Sequence, residues 1–144
     1  ARKVDIKEYV QEYLSNFSTS VEIAYKIEYQ NSIIKKISLL DLSVILDNLV
    51  SNSKKAGADK ILIVFNADGR KIIMDFSDNG CGVDFSKYTV SSIFEEGVTN
   101  RRGGSGIGLS TIRNRMGKDM NGEIQLLENG LYFEHGATFR LIFN

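Results

Sequence analysis

A long amphipathic helix followed closely by a β-hairpin is the feature that most constrains the fold of this chain. Residues 39–56 place Leu, Ile and Val side chains in one stripe at helical spacing, and Gly57 follows where a helix end is expected. Residues 60–66 and 71–77 are strand-like segments joined through Asp68-Gly69, a pair typical of hairpin turns. A helix with one apolar face must bury that face, and the hairpin supplies a sheet to receive it.

The rest of the chain predicts further helices and strands for the same two layers. In order, they are a helix at 4–17, a strand at 21–29, a short return strand at 36–38, a helix at 105–116 and an antiparallel pair at 123–127 and 137–143. Strands outnumber helices, and most are linked as hairpins. We therefore expect an α+β fold, a two-layer α/β sandwich whose mixed, mostly antiparallel sheet is covered on one face by helices.

The composition excludes several classes of function. Lys plus Arg and Asp plus Glu both number 18 in 144 residues, so no net field attracts nucleic acid or an anionic membrane. One cysteine, Cys81, and one histidine, His135, exclude an internal disulfide and argue against a zinc site. No apolar run reaches the length of a membrane span, and no signal peptide is visible. We expect a single domain over residues 1–144, a fragment of a longer protein because residue 1 is not Met, located in the cytoplasm even where the parent is membrane-anchored.

Several familiar catalytic and nucleotide motifs are missing from the sequence. There is no GxxxxGK[ST] phosphate loop, no GxGxxG after a strand, no GxSxG and no HExxH. A phosphate-loop NTPase and a Rossmann dinucleotide site are therefore not expected. His135 lies in a predicted turn before the last strand, where we expect a plain surface or edge role.

Glycine is concentrated where the sequence predicts loops. Of the 13 glycines, seven lie from Gly80 to Gly108. Gly104-Ser105-Gly106-Ile107-Gly108-Leu109 opens a predicted helix, where backbone N–H groups can close on an anion and the helix N-terminus adds partial positive charge. Taken alone, this segment is interpreted equally well as a flexible loop before a helix.

A second glycine segment, Asp78-Asn79-Gly80-Cys81-Gly82, follows the second hairpin strand. Taken alone, it is most simply a turn, because Asp-Asn-Gly is common in turns. The chemical alternative is that a buried Asp78 carboxylate accepts a hydrogen bond from an exocyclic amine. Such a carboxylate would select adenine, because guanine presents a carbonyl oxygen there and would set two acceptors against each other.

Three polar residues of the helix at 39–56 are candidates for contacting a phosphate and its metal ion. Asn48 and Asn52 are one helical turn apart on a shared face, and Lys55 follows three residues later. Singly, each is expected to be solvated or bonded to the backbone. Together, Asn52 suits an Mg²⁺ ion whose charge is balanced mainly by phosphates, and Lys55 suits a phosphate group.

These segments together resemble the GHKL superfamily of ATP-binding domains, which contains gyrase, the heat-shock chaperone ATPase, histidine kinases and the mismatch-repair protein MutL. Four blocks stand in the superfamily's order: an asparagine box at 48–55, a glycine box at 78–82, a phenylalanine box at 93–97 and a second glycine box at 104–109. Gly136-Ala137-Thr138-Phe139 is similar to its last strand. The resemblance covers about the whole chain and implies the Bergerat-type ATP-binding fold.

Matched block by block, the resemblance implies a role for each shared residue. Asn52 would hold Mg²⁺, with Asn48 as a supporting polar contact near the phosphates, and Lys55 would meet a phosphate. Asp78 would bind the adenine amine. The remaining expected contacts with ATP are Gly80 and Gly82 at the base, Phe94 as the anchor of a lid at 85–103, Gly104, Gly106, Gly108 and Leu109 along the triphosphate, and Arg101 and Arg102 at the γ-phosphate.

The branch within the superfamily depends on Asn48. Hydrolytic members carry a glutamate at this place, four residues before the metal-binding asparagine, and an amide cannot replace it as a general base at neutral pH. With the phenylalanine box, Asn48 resembles the histidine-kinase branch. That branch implies transfer of the γ-phosphate to a histidine on a separate dimerisation domain, with a response regulator as a further partner.

Two other branches stay open. Asn52-Ser53 replaces the common Asn-Ala of histidine kinases, and residues 56–59 with 78–82 resemble MutL-like ATPases. That resemblance implies an ATP-operated conformational clamp, MutL-like or chaperone-like, in a larger protein that is not a kinase. A regulatory serine kinase of the anti-sigma type is the third alternative, although that branch usually has the glutamate that Asn48 replaces.

Overall fold

The computed structural model describes residues 1–17, 19–95 and 108–144. The helices and strands, in chain order, are β1 (Arg2–Asp5), α1 (Ile6–Leu14), β2 (Glu22–Ile27), β3 (Ile34–Ile37), α2 (Leu39–Lys55), β4 (Lys60–Asp68), β5 (Lys71–Asp78), α3 (Leu109–Asp119), β6 (Gly122–Leu126) and β7 (Thr138–Phe143). Short 3-10 helices span Ser15–Phe17 and Ser92–Phe94. The second of these lies in the weakly patterned segment at 85–103, which was expected to be a loop.

The main sheet has five strands in the order β2-β4-β5-β7-β6. β2 pairs with β4 in parallel, and the other three pairs are antiparallel. Asp68 faces Lys71 at the end of the β4–β5 hairpin, and Gly69 takes a φ of 63° in the turn. The two turn residues are therefore Gly69 and Arg70, and glycine suits the first of them because it adopts a positive φ at little steric cost. The predicted mixed, mostly antiparallel sheet is thereby confirmed.

Alternate strand residues and one face of each helix share a single core. The core side of β4, β5 and β7 consists of large apolar residues at most 2% exposed: Ile61, Ile63, Phe65, Ile72, Met74, Phe76, Leu141 and Phe143. Helix α2 adds Leu42, Ile45, Leu46 and Leu49, and α1 and α3 add Ile6, Val10, Ile112 and Met116. Spacings of three and four along each helix place these residues on one face, and burying each contributes roughly 1.5–3 kcal/mol.

The other side of the sheet carries a satisfied polar cluster. Asp75 is 2% exposed and accepts hydrogen bonds from Arg140 Nε at 2.7 Å, Arg140 Nη2 at 2.9 Å and the Tyr132 hydroxyl at 2.6 Å. Burial, together with the bond to Asp75, raises the pKa of Tyr132 to about 12. The bond to Asp75 also raises the pKa of Arg140. Because each partner donates to the carboxylate, its burial leaves no acceptor unpaired.

The start of the chain differs from the prediction. The helix expected at 4–17 begins at Ile6, because the Asp5 carboxylate caps it by accepting a bond from Glu8 N at 3.3 Å. The preceding residues form β1, which was not predicted. β1 pairs antiparallel with β3 in a separate two-stranded sheet. The short strand expected to return at 36–38 is therefore observed as β3, outside the main sheet.

The last helix also begins later than predicted. The helix predicted at 105–116 is observed as α3 from Leu109 to Asp119, and residues 105–107 lie outside the described part of the chain. Within the described ranges, none of the helices combines the length and the apolar character that crossing a bilayer demands.

Candidate functional site

A cavity of about 500 Å³ lies between α2, the glycine turn after β5, the start of α3 and β7. Five residues expected to bind ATP line it: Asn52, Lys55, Asp78, Gly82 and Leu109. The other lining residues are Leu49, Ser53, Ala56, Cys81, Val83, Asp84, Tyr88, Ile93, Ala137 and Phe139. The fold thus brings residues from the asparagine box and both glycine boxes to one cavity, although they are far apart in sequence.

Asp78 is the most enclosed acidic side chain of this cavity. It ends β5 and is 6% exposed. Its Oδ1 accepts hydrogen bonds from Gly80 N at 2.9 Å and Ala137 N at 3.3 Å, and its Oδ2 accepts one from Ser53 Oγ at 2.7 Å. A carboxylate has about four acceptor positions. The three bonds therefore leave Oδ2 able to accept one more donor from the cavity.

Ser53 is a site residue that sequence analysis did not assign. It is 2% exposed, lines the cavity and donates to Asp78 across 25 positions of sequence. Its signal was the serine that follows Asn52 where histidine kinases commonly have alanine. The serine lies within the asparagine box, but helical spacing alone could not show which residue of another element it contacts.

The glycine turn approaches α2 closely. A Cβ on Gly80 would lie 2.8 Å from the Ala56 carbonyl oxygen, and Cys81 N donates to the same oxygen at 2.9 Å. Gly82 has a φ of 79°, which a residue with a side chain rarely adopts. The tight turn that Asp-Asn-Gly predicted is therefore observed, and its backbone forms part of the cavity wall.

The Asn79 side chain anchors the base of this turn. Its Oδ1 accepts hydrogen bonds from Asp59 N and Lys60 N, both at 3.0 Å, and its Nδ2 donates to Asp59 Oδ1 at 2.7 Å. These bonds tie the turn after β5 to the start of β4. The sequence showed Asn79 as a turn former but did not reveal the segment to which it is bound.

Helix α2 presents its polar residues at different depths. Ser38 caps the helix by accepting a bond from Asp41 N at 3.2 Å. Asn48 is 5% exposed, its Nδ2 donates to Val44 O at 2.7 Å, and it is not a lining residue of the cavity. Asn52 and Lys55 lie one and two turns further along and do line it. The roles expected for Asn48, Asn52 and Lys55 in catalysis stay predictions.

Phe94 packs behind the cavity wall rather than in it. Phe94 is 3% exposed, and its ring meets the Phe139 ring edge-on with 6.3 Å between the two centroids. The Arg113 guanidinium lies 5.8 Å from the centre of the Phe94 ring. The Phe94 neighbours Ile93 and Phe139 are the lining residues. This burial is compatible with an anchor for the segment that follows, which stays a prediction.

Part of the second glycine box is described. Gly108 is the N-cap residue of α3 and supplies no side chain to the cap, and Leu109 begins the helix at the cavity. The partial positive charge of a helix N-terminus therefore borders the cavity. Arg101, Arg102, Gly104 and Gly106, with residues 96 and 97 of the phenylalanine box, lie outside the described residues.

A family comparison agrees with these observations. Residues 38–144 match the family described as histidine kinase-, DNA gyrase B-, and HSP90-like ATPase. The chain belongs to this ATPase family. The matched range contains α2, both glycine boxes and every lining residue of the cavity. The resemblance expected from the four blocks is confirmed.

The chain is also similar in sequence to two sensor proteins. Sensor protein TorS of Escherichia coli (strain K12) is 34% identical over 83 residues, which are 56% of this chain and 9% of that protein. Sensor histidine kinase CitA of Klebsiella pneumoniae is 34% identical over 104 residues, 67% of this chain and 18% of that protein. The chain spans less than a fifth of the length of either relative.

Solved structures share the fold of this chain. The catalytic domain of the histidine kinase ThkA has a TM-score of 0.80 at 19% identity, with 99% of this chain and 93% of that chain covered. ThkA in complex with the response regulator protein TrrA has a TM-score of 0.75 at 18% identity, covering 99% of this chain and 41% of that chain. At such identities the likeness establishes the fold, and the α+β class is confirmed.

Proposed function

We propose that this ATPase-family chain binds Mg-ATP in its cavity and acts as the catalytic domain of a sensor histidine kinase. It would present the γ-phosphate to a histidine on a separate dimerisation domain, and a response regulator would receive the phosphate next. The observation that carries the proposal is Asp78, a buried carboxylate with one acceptor position still open to a cavity large enough for a nucleotide.

The Asp78 end of the cavity fits an adenine base. The carboxylate is held by three donors, so it meets a ligand in one orientation. The exocyclic amine of adenine would supply the fourth donor, whereas the carbonyl of guanine would face an acceptor at a cost of roughly 1–3 kcal/mol. Leu49, Ile93 and Phe139 offer apolar surface to the base. Gly82 lines the cavity without a side chain, and a contact between Gly80 and the base stays a prediction.

The α2 and α3 ends of the cavity fit the phosphates. Lys55 supplies a positive charge, and the N-terminus of α3 adds partial positive charge beside Leu109. An amide oxygen on Asn52 suits Mg²⁺, which keeps waters and takes further ligands from phosphates. When bound, the ion would neutralise charge that develops on the transferred phosphate. Contacts from Arg101, Arg102, Gly104 and Gly106 stay predictions.

Neither acidic residue of α2 is placed to act as a general base for rapid ATP hydrolysis. Asp41 contacts Arg115, and Asp47 accepts a hydrogen bond from Tyr13 at 2.7 Å. Neither lines the cavity, where Asp78 and Asp84 are the only carboxylates among the described residues. The place of a hydrolytic glutamate is taken by Asn48, which cannot remove a proton from water. The chain should therefore hold ATP for an external acceptor.

The adenine assignment is tested by Asp78→Asn. Calorimetry with Mg²⁺ and a non-hydrolysable ATP analogue should show that affinity falls about 100-fold or more, because an amide can turn a donor toward the adenine amine. Asp68→Asn, at the exposed hairpin turn, is the matched control and should bind like the wild type. Unchanged affinity in Asp78→Asn would remove the adenine site from this cavity.

A hydrolysis assay separates the kinase from a clamp ATPase. Steady-state turnover by the isolated chain should stay near background, while a dimerisation domain bearing a phosphoacceptor histidine should become labelled from ATP. Rapid turnover without such an acceptor would instead support the clamp.

A cytoplasmic location for the domain stays a prediction.

A further inference from the structure

The connection between β6 and β7 is longer than a hairpin needs. β6 ends at Leu126 and β7 begins at Thr138, whereas two to five residues commonly join antiparallel neighbours. This β6–β7 loop, residues 127–137, is closed on itself by Gly130 N donating to Gly136 O at 3.0 Å. Its two ends lie against the glycine turn of the cavity.

The first contact is made by Asn129. Its Oδ1 accepts from Val83 N at 3.0 Å, and its Nδ2 donates to Val83 O at 2.7 Å. One side-chain amide thus satisfies both backbone groups of a residue that lines the cavity. This arrangement resembles the pairing of a neighbouring strand, and it restrains the position of Val83 more strongly than a single bond would.

The same side chain explains Gly82. A Cβ on Gly82 would lie 2.9 Å from Asn129 Cγ and 2.9 Å from its Oδ1. Together with the φ of 79°, this spacing leaves room only for glycine while the Asn129 amide is in place. Gly82 therefore has two roles, because it lines the cavity without a side chain and leaves room for the Asn129 amide.

The second contact is made by His135. Its Nδ1 lies 2.8 Å from the Gly80 carbonyl oxygen. Because a carbonyl oxygen only accepts, Nδ1 must carry the proton in this bond. The next residue, Gly136, has a φ of 122°, and a Cβ there would lie 1.8 Å from the Asp78 carbonyl oxygen. The loop therefore reaches both the glycine turn and the strand end that carries Asp78.

We propose that Asn129 and His135 are positioning residues that set the backbone of residues 80–83 for base binding. The inference rests on the proposed ATP site and adds a specific requirement to it. Asp78 supplies the hydrogen bond to the base, while the β6–β7 loop holds the backbone of the glycine turn, of which Gly82 and Val83 line the same cavity. The pinned turn is pre-organised, so less conformational freedom is lost when the nucleotide binds.

The test compares Asn129→Ala, His135→Ala and His135→Asn in the full chain. Affinity for a non-hydrolysable ATP analogue with Mg²⁺ should fall about 3- to 10-fold in each alanine variant, as expected when one or two exposed hydrogen bonds are lost. His135→Asn should recover most of the affinity, because its Nδ2 can take the place of Nδ1. Asn16→Ala, which removes an exposed asparagine that donates to Tyr13 O at 2.8 Å, is the matched control and should bind normally.

A second readout does not need nucleotide. Cys81 is exposed and lies between the two contacts, so its alkylation rate reports how freely the turn moves. Both alanine variants of the loop should be alkylated several-fold faster than the wild type. His135→Asn and Asn16→Ala should be alkylated at the wild-type rate. Near-ultraviolet circular dichroism confirms folding of each variant. Since the two contacts are tested separately, an unfolded variant at one position leaves the other decisive.

The outcomes separate the positioning role from the ATP site. Wild-type binding that is lost in Asp78→Asn but unchanged in both alanine variants, with unchanged alkylation, would overturn the positioning role and keep the ATP site. A wild-type chain that binds no nucleotide would overturn both. Weaker binding and faster alkylation in both alanine variants would support the positioning role, provided that His135→Asn behaves like the wild type.

Discussion

Ser53 shows how one hydroxyl can decide the state of a buried acidic side chain. It donates to Asp78 Oδ2 at 2.7 Å, and both side chains are almost fully enclosed. Without that donor, Oδ2 would have no protein partner among the described residues. A buried acceptor without a donor is costly, so Ser53 stabilises the site before any ligand arrives.

We expect Ser53→Ala to lower the free energy of unfolding by about 1–2 kcal/mol, the cost of leaving the Asp78 acceptor short of a donor. Ser51→Ala on the same helix is the control, because it carries the same gain in helix propensity without a bond to Asp78. Urea unfolding of both variants measures the difference. Equal stability of the two variants would show that the Ser53–Asp78 bond contributes nothing.

At the scale of elements, Asp5 joins the small sheet to α1. Its carboxylate caps the helix, accepts from Lys7 Nζ at 2.9 Å and accepts from Ser32 Oγ at 2.8 Å. Burial pushes the pKa of Asp5 upward, but the bonds from Lys7, Ser32 and Glu8 N outweigh it, so the pKa lies below its ordinary value. The helical period of residues 4–17 did not reveal this junction, because it is made between separate segments.

A lowered pKa in the folded state makes the contribution of Asp5 depend on pH. The contribution is complete above the unfolded value of about 3.9 and is lost as pH falls through the lower folded value. Asp5→Asn keeps a capping side chain but removes the charge. We expect it to be less stable than the wild type by about 0.5–1 kcal/mol at pH 7, allowing for solvent screening, with the gap closing below pH ~4.

Urea titrations of both proteins from pH 7 to pH 3 measure this gap, and other acids cancel in the comparison. Asp68→Asn, in the β4–β5 turn, should show no comparable gap at any pH. A constant difference between wild type and Asp5→Asn across the range would contradict a charge-based contribution.

On the scale of the whole molecule, the cavity joins segments that span most of the chain. Residues of α2, the turn after β5, α3 and β7 all line it. A ligand that contacts all of them binds the folded state and not the unfolded one. Nucleotide binding should therefore be visible as global stability.

We expect Mg-ATP at 100 times its dissociation constant to add about 2.7 kcal/mol to the unfolding free energy. For a domain of this size, the midpoint of thermal unfolding should rise by about 5–10 °C. Thermal scans with ATP and with GTP at equal concentration measure the effect and its base selectivity. An equal rise with GTP would contradict selection of adenine by Asp78.

The sequence by itself determined the class of fold and pointed to five residues that line the candidate site. Helical period, strand alternation and turn residues are local properties, so α2, the β4–β5 hairpin and the glycine turn could be predicted from neighbouring residues. The resemblance of four sequence blocks to the GHKL superfamily then implied ATP contacts for Asn52, Lys55, Asp78, Gly82 and Leu109, which the structure places around one cavity.

Only the tertiary structure decided how the site is held. β1 pairs with β3 across some 30 residues, Ser53 meets Asp78 across 25 positions, and Asn129 reaches Val83 across 46. Such bonds depend on where the sheet and its loops place distant segments, and no local period encodes them. The helix and hairpin that most constrained the fold follow from local sequence patterns, while contacts between distant segments hold the walls of the cavity.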